Sequence, residues 1–134
     1  MTSPTERLPL PPRQMTMLAV IGAVYWFVAA MIVRGTASGW VGNDALTALV
    51  FGLIVVGTVP ALLLGYQLAS VGRNHAAIGA AIMTGTASLL DGLALTWMPS
   101  LYGATPEVVL GGAAAILWGA GVALVLGMVI ERRT

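Results

Sequence analysis

The sequence has no cysteine and no lysine, a single histidine (His75), and few charges of either sign. Each shortage excludes a class of function. Without cysteine there is no disulfide, no thiolate metal site and no cysteine nucleophile. One histidine cannot build a metal cluster alone, so no metal is expected. Without lysine, the glycine loop that cradles phosphate and ends in Gly-Lys is missing. Charged residues are 8% of the 134 and hydrophobic ones 58%, whereas a soluble domain carries about 25% charge. So little charge cannot cover a soluble domain of this length, and the missing polar surface must face lipid. The net charge is +1, with all six basic residues arginine. No basic patch argues for a nucleic-acid partner.

What the chain does have is long apolar runs. Crossing the hydrocarbon core takes roughly 20 residues at helical rise. Four segments meet that length: about 15–33, ending at Arg34; about 45–69, ending before Arg73; about 76–97, stopped by Pro99; and about 108–130, closing on Glu131, Arg132 and Arg133. In lipid an open chain satisfies its backbone internally only as helix. The expected fold is all-α, a single domain over 15–134 forming a four-transmembrane-helix bundle. Ahead of it, residues 1–14 contain Pro4, Pro9, Pro11 and Pro12 with Arg7 and Arg13. Prolines at that density break a helix, which predicts a disordered proline-rich arm on the cytoplasmic side. A cleaved signal peptide is the rival reading of Arg7, Arg13 and the first apolar run. That run exceeds the usual 7–15 residues, and Arg34 precedes any small-residue cleavage site near Ala37 to Gly39.

Arginine placement orients the bundle. Arg7, Arg13, Arg73, Arg132 and Arg133 fall on one side, and Arg34 alone on the other. This predicts both termini in the cytoplasm. The short connections predict that consecutive helices pack as antiparallel neighbours. Trp40, Trp97 and Tyr102 fall at the outer boundary, where amphipathic rings anchor among headgroups. Tyr25, Trp26 and Trp118 lie deeper and read as packing residues.

Helices in lipid associate through close backbone approach at small residues and through hydrogen bonds. The fourth segment has a small residue at every fourth position: Gly111, Ala115, Gly119, Ala123 and Gly127. The third repeats the rhythm in Ala76, Ala80, Thr84, Ser88 and Gly92. These ladders predict a tight hairpin of the last two helices, with chance in a Gly- and Ala-rich chain as the bland alternative. Pro60, inside the second segment, removes one backbone hydrogen bond and predicts a kink.

Asp91 is the one carboxylate or basic residue well inside an apolar segment. Central aspartate costs about 2.5–3.5 kcal/mol on insertion scales, so it is expected to face the bundle interior and to have a partner. Ser88 and Thr84 lie three and seven positions before it, a polar stripe on one helix face. Arg34 ends the first span on the same side and is the expected ion-pair partner, with Asp44 competing for it. Two readings stand. Asp91 is a buried interhelical clamp, or it carries a proton or cation during transport. A Ser–His–Asp arrangement would need His75, at the opposite end from Asp91, and intramembrane proteolysis would need a second catalytic group. No catalytic set and no cofactor site are present in the sequence, so an enzyme is not expected.

The segments Ser88-Leu89-Leu90-Asp91-Gly92, Met98-Pro99-Ser100-Leu101-Tyr102 and Gly111 through Leu117-Trp118-Gly119 resemble a family of small bacterial four-helix membrane proteins defined only as a domain of unknown function. The resemblance covers most of the chain from the first helix onward. It implies a multi-pass protein of the bacterial inner membrane and singles out Asp91 and Arg34, but it implies no activity. The residues Thr84 to Ser88 depart from it, standing where a proline–glycine pair is expected. The chain does not look like the small multidrug exporters, which carry a glutamate in the first helix; Met15 to Val33 contains no acid. The expected function is therefore a structural or accessory component of a membrane complex. Its partners would be the lipid bilayer and either another membrane protein or further copies of this chain. The alternative is a small proton- or cation-coupled transporter using Asp91.

Overall fold

The computed structural model describes residues 9–133. Most of the proline-rich arm therefore lies outside the described residues. Four helices make up the fold: α1 (Pro12–Trp40), α2 (Asp44–Leu68), α3 (Ala76–Trp97) and α4 (Pro106–Arg132). All four are long and apolar enough to cross a membrane, and they pack as a bundle. The chain is a multi-pass membrane protein.

The ends of the helices follow from local chemistry. Pro12 occupies the first turn of α1, where its missing N–H costs nothing and its fixed φ suits the helix. Asn43 caps α2 by accepting a hydrogen bond from the Leu46 N–H at 3.0 Å, and Thr105 caps α4 by accepting one from Val108 at 3.3 Å. Pro106 and Glu107 then fill the first turn of α4, ahead of the apolar run. The α2 C-terminus closes through Val71 N–H to Tyr66 C=O at 2.8 Å and Ser70 N–H to Gln67 C=O at 3.2 Å. That motif needs a left-handed residue between them, and here Ser70 supplies it at φ 57° where glycine is usual.

α1 is longer than its apolar run at both ends. It starts at Pro12 rather than near residue 15 and continues past Arg34 to Trp40. Arginine is a good helix former, and its exposed side chain leaves the backbone free to continue. Beyond it, Ala37 and Trp40 are buried, so further turns still have a face to cover. At 1.5 Å per residue, the 29 residues of α1 span about 43 Å, more than the roughly 30 Å hydrocarbon core. α2 runs unbroken from Asp44 to Leu68 through Pro60. Beside the proline, the Tyr25 hydroxyl of α1 donates to the Ala61 carbonyl at 2.7 Å.

Neighbour relations differ from the expected order. α1 packs most extensively on α3, α3 also on α4, and α4 on α2, whereas α2 scarcely touches α3. A short connection between α2 and α3 thus joins two helices that are not main neighbours. The cause lies in how closely α1 and α3 approach. A Cβ placed on Gly22 would fall on the Met83 carbonyl and 2.9 Å from the Met83 Cα. Backbone meets backbone there, and only glycine permits it. α1 and α3 run in the same direction, so the tightest seam joins parallel helices.

The small-residue ladders do not form one seam. Four residues advance a helix by about 400°, so each rung of a four-residue ladder turns about 40° further, and five rungs sweep about 160°. Gly127 meets Ala80 of α3, with a built Cβ 2.5 Å from the Ala80 Cβ, and Ala123 is buried nearby. Gly119 instead faces Ile54 of α2, whose Cγ2 would lie 3.4 Å from a Cβ placed on the glycine. Gly111 faces Val41, beyond the end of α1, while Ala115 lies in the core with Ala30 and Ala94. On α3, Ala76 and Ala80 are buried, Thr84 is half-buried, Ser88 is exposed, and Gly92 has open space around it. Of the two ladders, the rungs that meet across α3 and α4 near the start of α3 and the end of α4 are Ala76, Ala80, Ala123 and Gly127.

The buried residues form two clusters. One, at the end of the bundle that carries the start of α1 and the end of α4 (the terminal face below), centres on Leu18, Leu62, Tyr66, Ala76, Ala80 and Met83. The other, in the opposite half, centres on Ala30, Val33, Trp40, Ala94, Tyr102 and Ala115.

Candidate functional site

Asp91 stands on α3, in the half of the bundle away from the terminal face, and is half-buried. Its partner comes from the loop that follows α3. Pro99 disfavours helix at the preceding residue, and Met98 leaves the helical region with φ −137° and ψ 54°. A short 3-10 turn, Pro99–Leu101, then folds the chain back toward the bundle. Tyr102 closes that turn, its N–H donating to the Pro99 carbonyl at 3.0 Å. Its ring enters the buried cluster that also holds Ala30, Val33, Ala37, Trp40, Ala94 and Ala115. Tyr102 has 0% of its surface exposed, in contrast to Trp97, which is 72% exposed at the helix end.

The Tyr102 hydroxyl donates to Asp91 Oδ1 at 2.6 Å, and Trp26 Nε1 of α1 donates to the same hydroxyl oxygen at 3.1 Å. The first distance lies in the range of a charge-assisted O–H to carboxylate bond. Burial, and then the bond to the Asp91 carboxyl, push the Tyr102 phenol up, which keeps it a neutral donor. The chain Trp26–Tyr102–Asp91 therefore ties α1, the α3–α4 loop and α3 together. Among the described residues no buried side-chain polar atom lacks a partner.

The ion pair of Asp91 with Arg34 is not formed. Asp91 is hydrogen-bonded to Tyr102, and the Arg34 side chain is exposed. The reason is axial position. Trp26 marks the level of the site on α1, and Arg34 follows it by eight residues, about 12 Å further along the axis. Asp44 is also exposed. Of the expected polar stripe, Thr84 is half-buried and Ser88 exposed, and no bond joins either to the tyrosine–aspartate chain. Tyr102, read from sequence as a headgroup anchor, is instead a core residue, and Trp40 is likewise buried, its Nε1 donating to Thr36 Oγ1 at 3.2 Å. The sequence signal for Tyr102 was its place in Met-Pro-Ser-Leu-Tyr-Gly: a proline that stops the helix, then an aromatic hydroxyl close in sequence to an intramembrane acid.

At the terminal face, the Glu131 carboxylate of α4 accepts a hydrogen bond from the Ala77 N–H at 2.7 Å. An anion at the α3 N-terminus satisfies a free donor and complements the helix dipole. Two open surface depressions lie there too. One is lined by Ala77, Met128, Glu131 and Arg132, the other by Leu63, Tyr66, Gln67, Val71 and Arg73. Neither reaches Asp91. Among the described residues, no cluster of His, Asp and Glu could hold a metal.

Comparison with protein-family models, with curated proteins and with solved structures finds no match for this chain.

Proposed function

We propose that this protein is a non-catalytic, accessory component of a membrane complex, inserted in the bacterial inner membrane with both termini in the cytoplasm. The observation that carries this reading is the commitment of Asp91 to Tyr102 and, through it, to Trp26. An intramembrane carboxylate is a functional candidate by default, but here it fastens a loop across two helices. The segments Ser88 to Gly92 and Met98 to Tyr102 supply the two ends of that bond. Affinity purification of the tagged protein from native membranes tests the reading. A stable stoichiometric partner supports it, and recovery of the chain alone, at its native level, counts against it.

A second reading is proton- or cation-coupled transport through Asp91. It is favoured by one observation: Asp91 is half-buried in a membrane span and has no ion-pair partner among the described residues. Proton flux into proteoliposomes containing the purified protein, lost in D91N while that variant stays folded, supports transport. Absence of flux in the wild type excludes it.

A further inference from the structure

We infer that the groove between the end of α2 and its connection to α3 is a binding site for one anionic phospholipid, with the phosphate at Arg73 and Gln67 and an acyl chain along Leu63. The groove measures about 280 Å³, below the roughly 300–1,000 Å³ of sites for whole small molecules. It suits a headgroup and the start of a chain. Its wall is built: the buried Tyr66 ring is held by its hydroxyl donating to the Ala76 carbonyl at 2.7 Å, and Val71 is fastened to Tyr66 by the backbone bond at 2.8 Å. The polar rim is free to engage a ligand. Arg73 and Gln67 are exposed, and neither side chain has a partner among the described residues.

Charge selects an anion. The terminal face exposes Arg13, Arg73, Arg132 and Arg133, and Glu131 is the one acid there among the described residues. Arg13 lies near the groove, because its neighbour Gln14 donates to the Ser70 carbonyl at 2.8 Å. Glu131 is engaged with the Ala77 N–H at the start of α3. Apolarity selects a lipid over a free anion. The groove opens at Leu63 onto the lipid-facing side of α2, where Leu64 is 50% and Leu68 54% exposed. An occupant must therefore present a negative head continuous with a hydrocarbon chain, and basic pockets between membrane helices bind anionic headgroups in this way.

Native mass spectrometry of the full-length protein, released from a neutral detergent with equal phosphatidylglycerol and phosphatidylcholine of matched chains, reads the site directly. Phosphatidylglycerol should be retained in preference, as one lipid per chain. Arg73→Gln should reduce that preference about fivefold, the factor for one surface arginine near anionic lipid. Gln67→Glu, at an exposed position that does not threaten folding, should reduce it at least as much by repelling the phosphate. Arg132→Gln should leave it within about twofold of wild type. Equal retention of the two lipids, an unchanged Gln67→Glu variant, equal loss in Arg132→Gln, or displacement by soluble glycerol phosphate would each overturn the assignment.

Discussion

Replacing Tyr102 by phenylalanine isolates the hydrogen-bond chain that organises the site. The ring keeps its shape in its buried cluster, so no cavity forms and one oxygen is lost. That oxygen serves two groups: it donates to Asp91 at 2.6 Å and accepts from Trp26 at 3.1 Å. A hydrogen bond to a charged group contributes about 1.5–3 kcal/mol in soluble proteins. Side-chain bonds between membrane helices average nearer 0.6 and reach about 1.7, because the unfolded chain in the membrane also finds partners. Two bonds on one atom, one of them to a carboxylate, place Tyr102→Phe at about 1.5 kcal/mol, roughly tenfold in the folding equilibrium. Reversible unfolding in mixed micelles, followed by far-ultraviolet circular dichroism, measures it. The same substitution made in an Asp91→Ala background should cost about 1 kcal/mol less, since the strongest of the lost contacts is already gone. If Tyr102→Phe lies within about 0.5 kcal/mol of wild type, or if its cost is the same in both backgrounds, Tyr102 and Asp91 are not coupled and the clamp reading fails.

Three further outcomes follow from the same coordinates. Gly22→Ala should destabilise by about 1–3 kcal/mol, as overpacking does, because the new methyl meets Met83 backbone rather than a side chain that can turn. Gly57→Ala, where nothing lies within 4 Å, should be neutral or gain up to about 1 kcal/mol of helix propensity; the order of the two in a thermal melt decides the point. Ser70→Gly should stabilise by about 0.5–1 kcal/mol, because φ 57° burdens serine but not glycine, as read by the shift in unfolding midpoint. Alkaline pH should weaken the fold. Tyr102 holds its proton more tightly when folded than at the ordinary value of 10.0, so above that pH the unfolded chain releases the proton first. Its contribution is complete below pH 10 and is lost as pH rises beyond, and Tyr102→Phe should remove that part of an alkaline unfolding curve.

The spans were legible because they depend on one quantity, apolar length, which sequence states directly. Helix ends were legible where a residue type dictates backbone geometry, as Pro99 does at the end of α3. Polarity alone does not mark a helix end. Arg34 stops the apolar run, yet α1 continues six residues further to Trp40, since a charge at headgroup level does not break a helix. The start of α4 shows the reverse: Thr105, Pro106 and Glu107 are polar or special residues that begin a helix before any apolar residue appears.

Pairing of residues across helices was less legible, and for a geometric reason. A repeat of four drifts around a helix of 3.6 residues per turn, so rungs that look continuous in sequence face different neighbours. The drift also means that one ladder can join several helices instead of two. In α4 it does so, with Gly127 on α3, Gly119 on α2 and Gly111 beside Val41 at the end of α1. The same reasoning explains Asp91. Charge complementarity pointed to Arg34, but complementarity carries no axial coordinate, and the arginine lies about two turns too far along α1. The residue at the right depth is Tyr102, which reaches it because Pro99 turns the chain back into the bundle, where the ring joins a cluster rich in alanine. In a lipid-embedded core made largely of small residues, the place of a large side chain is set by where the others are small, and only the packed structure brings Ala30, Ala94 and Ala115 into one cluster with Tyr102.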